Sequence, residues 1–99
     1  MNVVKAIRID AVGGPDVMRL QEVPLDPPEP GMVTVRNKAI GLNYIDCYHR
    51  SGLYPLPLPA GLGLEGAGDV EAVGAGTDLQ IGDRVAYCSA GFGAYSEAL

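Results

Sequence analysis

The chain has 99 residues, with seven Lys and Arg against twelve Asp and Glu for a formal net charge of −5, and 47% of its residues are hydrophobic. That content excludes a disordered chain. The acidic balance argues against a nucleic-acid groove or an anionic membrane surface, both of which need clustered basic residues. Folding a chain of this mass leaves roughly 5,000 Å² of accessible surface out of roughly 15,000 Å², which suits one core and not two domains. No apolar run approaches the ~18 residues of a spanning helix, because Pro, Gly or a charge interrupts each candidate. Met1 to Ala6 carries no basic stretch followed by an apolar one, so no signal peptide is expected and the cytoplasm is the expected compartment. Cys47 and Cys88 lack CxxC spacing and read as reduced thiols rather than a disulfide or a zinc motif.

Eight Pro and fourteen Gly cut the chain into short pieces. Val3 to Ile9 is rich in β-branched residues and ends at the Gly13-Gly14-Pro15-Asp16 turn signal, so it reads as a strand. Met18 to Val23 is its return strand. Pro24 to Gly31 holds four prolines and reads as a loop, since proline removes ladder donors. Val33 to Ile40 alternates, which predicts a strand with Val33, Val35, Asn37 and Ala39 on one face. Thr34, Arg36, Lys38 and Ile40 take the other face, toward solvent. The run from Tyr44 to Ser51 predicts a helix: Asn43 can cap it, Asp46 falls in the first turn and Gly52 stands at C′. Leu53 to Pro59 reads as an extended loop, Asp69 to Val73 and Val85 to Cys88 as short strands, and Ala94 to Leu99 as one more. Several short strands with one short helix predict a mainly β, partly closed barrel.

Gly61-Leu62-Gly63-Leu64-Glu65-Gly66 fits G-x-G-x-x-G. The dinucleotide fingerprint works only between a strand and the helix whose N-terminus holds the pyrophosphate. Here Pro55, Pro57 and Pro59 precede the motif and a strand-like alternation follows it. The glycines therefore read as tight packing around a bend.

Five blocks together resemble the quinone oxidoreductase, zeta-crystallin-like branch of the medium-chain dehydrogenase/reductases. They are Asn37 to Asp46 with Tyr48 and Arg50-Ser51-Gly52-Leu53-Tyr54-Pro55; Pro59-Ala60-Gly61-Leu62-Gly63; Glu65-Gly66-Ala67-Gly68; Gly82-Asp83-Arg84-Val85; and Gly93-Ala94-Tyr95. The resemblance spans essentially the whole chain and implies the N-terminal GroES-like domain over residues 1–99, a partly closed β-barrel with one or more short helices. It also implies that the nucleotide-binding domain lies outside these residues. The implied function is the catalytic-domain portion of an NADPH-dependent quinone oxidoreductase, acting on a quinone or related small molecule, and homo-oligomeric at full length. An enoyl or alkenal reductase fragment and a standalone GroES-like interaction module are the alternatives.

Zinc-dependent relatives place a Cys ligand where this chain has Asn43 and a His ligand where it has Leu64. An amide and an isobutyl group cannot replace thiolate and imidazole, so no zinc is expected. In its place, the Asn43 amide and the Tyr48 and Tyr54 hydroxyls can donate hydrogen bonds to a carbonyl. The resemblance places these three, with Leu64 as an apolar wall, along the nicotinamide and quinone cleft. Each also has a plainer reading: Asn43 as an N-cap, Tyr48 and Tyr54 as packing residues. Asp46 and His49 read as solvated helix residues, and Tyr44, Tyr87 and Tyr95 as core or surface.

Overall fold

The computed structural model describes residues 2–88 and 91–99. β1 (Asn2–Ile9) and β2 (Met18–Leu25) pair antiparallel in unbroken register from Asn2↔Leu25 to Ile9↔Met18. A 3-10 turn over Pro15–Val17 connects them, with Pro in the first turn where a missing N–H is harmless. β2 extends past the expected end at Val23 and takes in Pro24, paired with Val3. The expectation that Pro24 opens a loop fails because β2 is an edge strand. On an edge, the nitrogen without a donor can face away from the partner.

The second sheet has the order β3-β5-β6, from β3 (Val33–Ile40), β5 (Glu65–Val73) and β6 (Arg84–Cys88). Strict alternation along β3 is broken twice. The register slips between Thr34 and Val35 and again between Asn37 and Ala39. The first slip leaves Glu71 of β5 unpaired and the second leaves Lys38 of β3 unpaired. The second turns Ala39, expected inward, to an exposed position. Thr34 keeps the face opposite Val33 and Val35, as expected, but is buried, in a cleft that it lines with Leu25, Pro27 and Pro28. β5 starts at Glu65, four residues before the expected Asp69, and so absorbs two glycines. A Cβ on Gly68 would run into the Arg36 carbonyl, and one on Gly66 would sit 2.5 Å from the Tyr87 hydroxyl. Strand glycines of this kind mark a close backbone approach.

The last residues decide how the sheets meet. A two-residue strand, β4 (Ala60–Gly61), pairs with Arg8 and Ile9 on the side of β1 opposite β2. Beyond it the 94–99 segment runs between β1 and β3. Ile7 N–H donates to the Tyr95 carbonyl at 2.7 Å and Glu97 N–H to the Lys5 carbonyl at 2.9 Å, while Asn37 N–H donates to the Glu97 carbonyl at 2.8 Å. Val35 and Leu99 exchange both of their backbone bonds, at 2.8 and 3.1 Å. The expected final strand is thus a seam that stitches two three-stranded sheets. With the outer edges of β2 and β6 unjoined among the described residues, the barrel is partly closed.

Ile9, Ala60 and Leu62 form the buried centre under the first sheet, with Met18, Leu56 and Tyr95 packed against them. The accessible surface is 6,190 Å², more than the size of the chain alone predicts. Exposed large apolar side chains include Leu42, Tyr44, Tyr48, Leu53 and Tyr54 at and around the helix. No helix among the described residues is long and apolar enough to cross a membrane.

Candidate functional site

The one α-helix among the described residues, α1, covers Tyr44–Ser51 as expected. Asn43 holds the extended N-cap conformation, with φ −128° and ψ 153°. Asn43 and Asp46 form a capping box, in which the Asp46 carboxylate oxygen Oδ2 accepts the Asn43 N–H at 3.1 Å. A carboxylate in the first turn also lies at the positive end of the helix dipole. At the other end Gly52 turns left-handed at φ +89° and donates to the Tyr48 and His49 carbonyls. Arg50 Nε donates to the Gly13 carbonyl at 3.1 Å and Gly13 N–H to the Arg50 carbonyl at 3.0 Å, which fastens the helix to the first hairpin.

Past Gly52 the chain doubles back. Tyr54 N–H donates to the Tyr48 carbonyl at 3.2 Å. The two rings meet edge to face, their centroids 5.3 Å apart and planes at 71°. Both remain accessible, Tyr48 at 37% and Tyr54 at 49%. The structure therefore brings together two of the four expected site residues, with Asn43 at the start of the same helix. Leu64 is half-buried. Gly41 N–H donates to the Glu65 carbonyl at 3.1 Å, so the 64–65 backbone runs beside the residues leading into Asn43. Next to that crossing is an open cavity of about 510 Å³ lined by Ile40, Gly41, Glu65, Tyr87 and Cys88.

Two residues were misjudged from sequence. Asp46 and His49, expected in solvent, are buried at 3% and 6% exposure. Asp46 Oδ2 accepts a second bond, from the Tyr95 hydroxyl at 2.6 Å. His49 stands edge-on to Phe92 at 4.9 Å and to Tyr54 at 6.3 Å. Asp46 Oδ1 and His49 Nδ1 are buried without a hydrogen-bond partner among the described residues. The signal in the sequence was the Asn-x-x-Asp spacing of a capping box. Nothing local could reveal that Tyr95, 49 residues away, closes over it. Burial, then the hydrogen bond to Asp46 and the charges of Asp46 and Cys47, push the Tyr95 phenol well above its ordinary value. Burial also raises Tyr87, partly offset by its 2.8 Å bond to Asn37.

The G-x-G-x-x-G run lies across β4 and the start of β5, with no helix after it. Gly63, at φ +95°, packs under the Tyr95 ring, and a Cβ there would come within 2.6 Å of it. Among the described residues no group of three His, Cys, Asp or Glu side chains could hold a metal ion.

Residues 29–99 match the alcohol dehydrogenase GroES-like domain. The chain belongs to that family. A quinone oxidoreductase of Pseudomonas aeruginosa is 57% identical over 95 residues, which is 94% of this chain and 29% of the relative. A 2-haloacrylate reductase of a Burkholderia species is 46% identical, over 95% of this chain and 30% of the relative. Among solved structures, Escherichia coli quinone oxidoreductase complexed with NADPH superimposes with a TM-score of 0.93 at 46% identity, over 96% of this chain and 30% of that one. This GroES-like chain thus spans a little under a third of the length of these relatives.

Proposed function

We propose that this GroES-like chain is the catalytic-domain portion of an NADPH-dependent quinone oxidoreductase whose nucleotide-binding domain lies outside these residues. The observation that carries the reading is the accessible Tyr48–Tyr54 pair on and just after the helix that Asn43 caps, which offers two phenols on an exposed surface with an amide at the start of the same helix. The 57% identity to a quinone oxidoreductase over nearly the whole chain supports it. This donor set fits the flat ring end of a nicotinamide or a quinone. It does not fit a pyrophosphate, because the glycine-rich run feeds a strand rather than a helix N-terminus.

NADPH supplies the hydride when bound. The chain's own residues orient the acceptor ring against it: Tyr48 and Tyr54 offer ring edges and hydroxyls, Asn43 a donor for a carbonyl oxygen, and Leu64 an apolar wall that excludes water. A hydroquinone anion then takes its proton from solvent. Asn43 and Leu64 offer no thiolate or imidazole, so the carbonyl is polarised by hydrogen bonds without zinc. A homo-oligomeric full-length enzyme in the cytoplasm completes the proposal.

A zinc-free alkene reductase is the second reading, favoured by the 46% identity to a 2-haloacrylate reductase. The test is steady-state turnover by the full-length protein with NADPH or NADH against a benzoquinone and an activated alkene, alongside metal analysis. The proposal expects NADPH-dependent quinone reduction and less than stoichiometric zinc. Turnover of the alkene alone selects the second reading, and one zinc per chain overturns the metal-free site.

A further inference from the structure

Asp46 is a strange residue to bury. Its carboxylate is 3% exposed, yet no Lys, Arg or His lies within ion-pair distance among the described residues. One oxygen, Oδ1, has no hydrogen-bond partner among the described residues. An unpaired buried carboxylate is costly, and a capping box needs no burial, since an exposed side chain at the same position closes it equally well. What burial adds is the second bond. Oδ2 accepts both the Asn43 N–H at 3.1 Å and the Tyr95 hydroxyl at 2.6 Å, so one atom fixes the N-cap residue to the seam between the sheets.

The seam holds Tyr95 firmly. Its carbonyl accepts the Ile7 N–H at 2.7 Å, its N–H donates to the Leu62 carbonyl at 3.0 Å, and Gly63 lies against its ring. Asn43, by contrast, stands at the helix entry next to Leu42, which is 79% exposed. Through Asp46 its backbone N–H is tied to that seam.

We propose that Asp46 and Tyr95 are positioning residues: the Tyr95–Asp46–Asn43 chain of hydrogen bonds sets where the Asn43 amide meets the acceptor carbonyl. This rests on the proposed role of Asn43 in the cleft. Neither residue touches the substrate, and both act on rate through Asn43.

The experiment is a double-mutant cycle in the full-length enzyme with NADPH and a benzoquinone, using Tyr95→Phe, Asn43→Ala and the pair, with the melting temperature of each recorded. Tyr95→Phe keeps the ring against Gly63 and removes the bond to Asp46. The expected result is a fall of about tenfold in kcat, the scale of one lost hydrogen bond to a charged group, with KM for NADPH changed less than twofold. In the Asn43→Ala background the same substitution should change kcat less than twofold while lowering the melting temperature as it does in the wild type. A structural role moves the melting temperature in both backgrounds and leaves the kinetic effects multiplicative, which overturns the inference. Asn43→Ala with wild-type kcat overturns the cleft reading itself. Should Tyr95→Phe fail to fold, Asp46→Asn takes its place in the cycle. It keeps one oxygen able to accept both bonds and weakens them by removing the charge. The same non-additivity with Asn43→Ala is expected, and multiplicative effects again overturn the inference.

Discussion

The Tyr95 hydroxyl and the Asp46 carboxylate lie 2.6 Å apart, joining the seam between the two sheets to the first turn of the only α-helix among the described residues. The contact has a pH consequence. An unfolded tyrosine gives up its proton near pH 10, whereas burial and Asp46 hold the Tyr95 proton to higher pH. Above that point the native state binds more protons than the unfolded one, so stability falls as pH rises. Urea midpoints should be flat with respect to this group up to about pH 10 and decline beyond it. Tyr95→Phe should decline less steeply, with Tyr87 contributing the remainder. Equal slopes for the two proteins between pH 10 and 11 would remove Tyr95 as the cause.

Gly63 carries a steric prediction. Its φ of +95° disfavours any side chain, and a Cβ would reach 2.6 Å from the Tyr95 ring. Gly63→Ala should therefore lose roughly 2 kcal/mol or more, combining backbone strain with overpacking. Gly76→Ala shares a positive φ of +84° but meets nothing within 4 Å, so it should lose only about 1 kcal/mol. Chemical denaturation of both variants separates strain from clash, and equal losses would contradict the packing described here.

Tyr48→Phe and Tyr54→Phe each remove a hydroxyl and keep the edge-to-face ring contact. If the hydroxyls align the acceptor, kcat/KM of the full-length enzyme should fall about five- to 150-fold, the equivalent of about 1–3 kcal/mol for an unpaired buried partner. The melting temperature should stay near wild type, because both side chains are accessible. Wild-type kinetics in both variants across several quinones would place the cleft elsewhere.

Among the described residues the His49 side chain meets rings: its Nδ1 is buried with no hydrogen-bond partner there, while Phe92 and Tyr54 stand edge-on to it. Replacing it by another ring should matter little. His49→Phe is expected within about 1 kcal/mol of wild type, and His49→Ala to lose about 2–4 kcal/mol through the cavity it opens. Thermal melts of the two variants test this, and a large loss in His49→Phe would point to a polar contact at the imidazole.

Local chemistry was enough for the elements whose signals are local. Asn43 and Gly52 bracket α1 at the expected residues, because a cap and a left-handed glycine act within one turn. The alternation from Val33 to Ile40 bounds β3 correctly, and the blocks around Asn43, Gly63 and Gly82 point to the GroES-like family. Which side chains face inward was settled elsewhere. Ala39 changed face because the register against β5 slips between Asn37 and Ala39, and a slip belongs to two strands at once. Thr34 kept its face and is buried beside Leu25, Pro27 and Pro28, a proximity set by the tertiary fold. Pro24 could join β2 because that strand is an edge, a property of the sheet and not of the proline. Tyr48 and Tyr54 were nominated by sequence, but their ring contact needed the chain to turn back at Gly52. Asp46 and His49 looked like ordinary polar helix residues. They became buried because Tyr95 and Phe92, more than 40 positions later, fold over that face of the helix. A carboxylate's surroundings are set by whatever the tertiary fold lays against it, and no local pattern of residues encodes that.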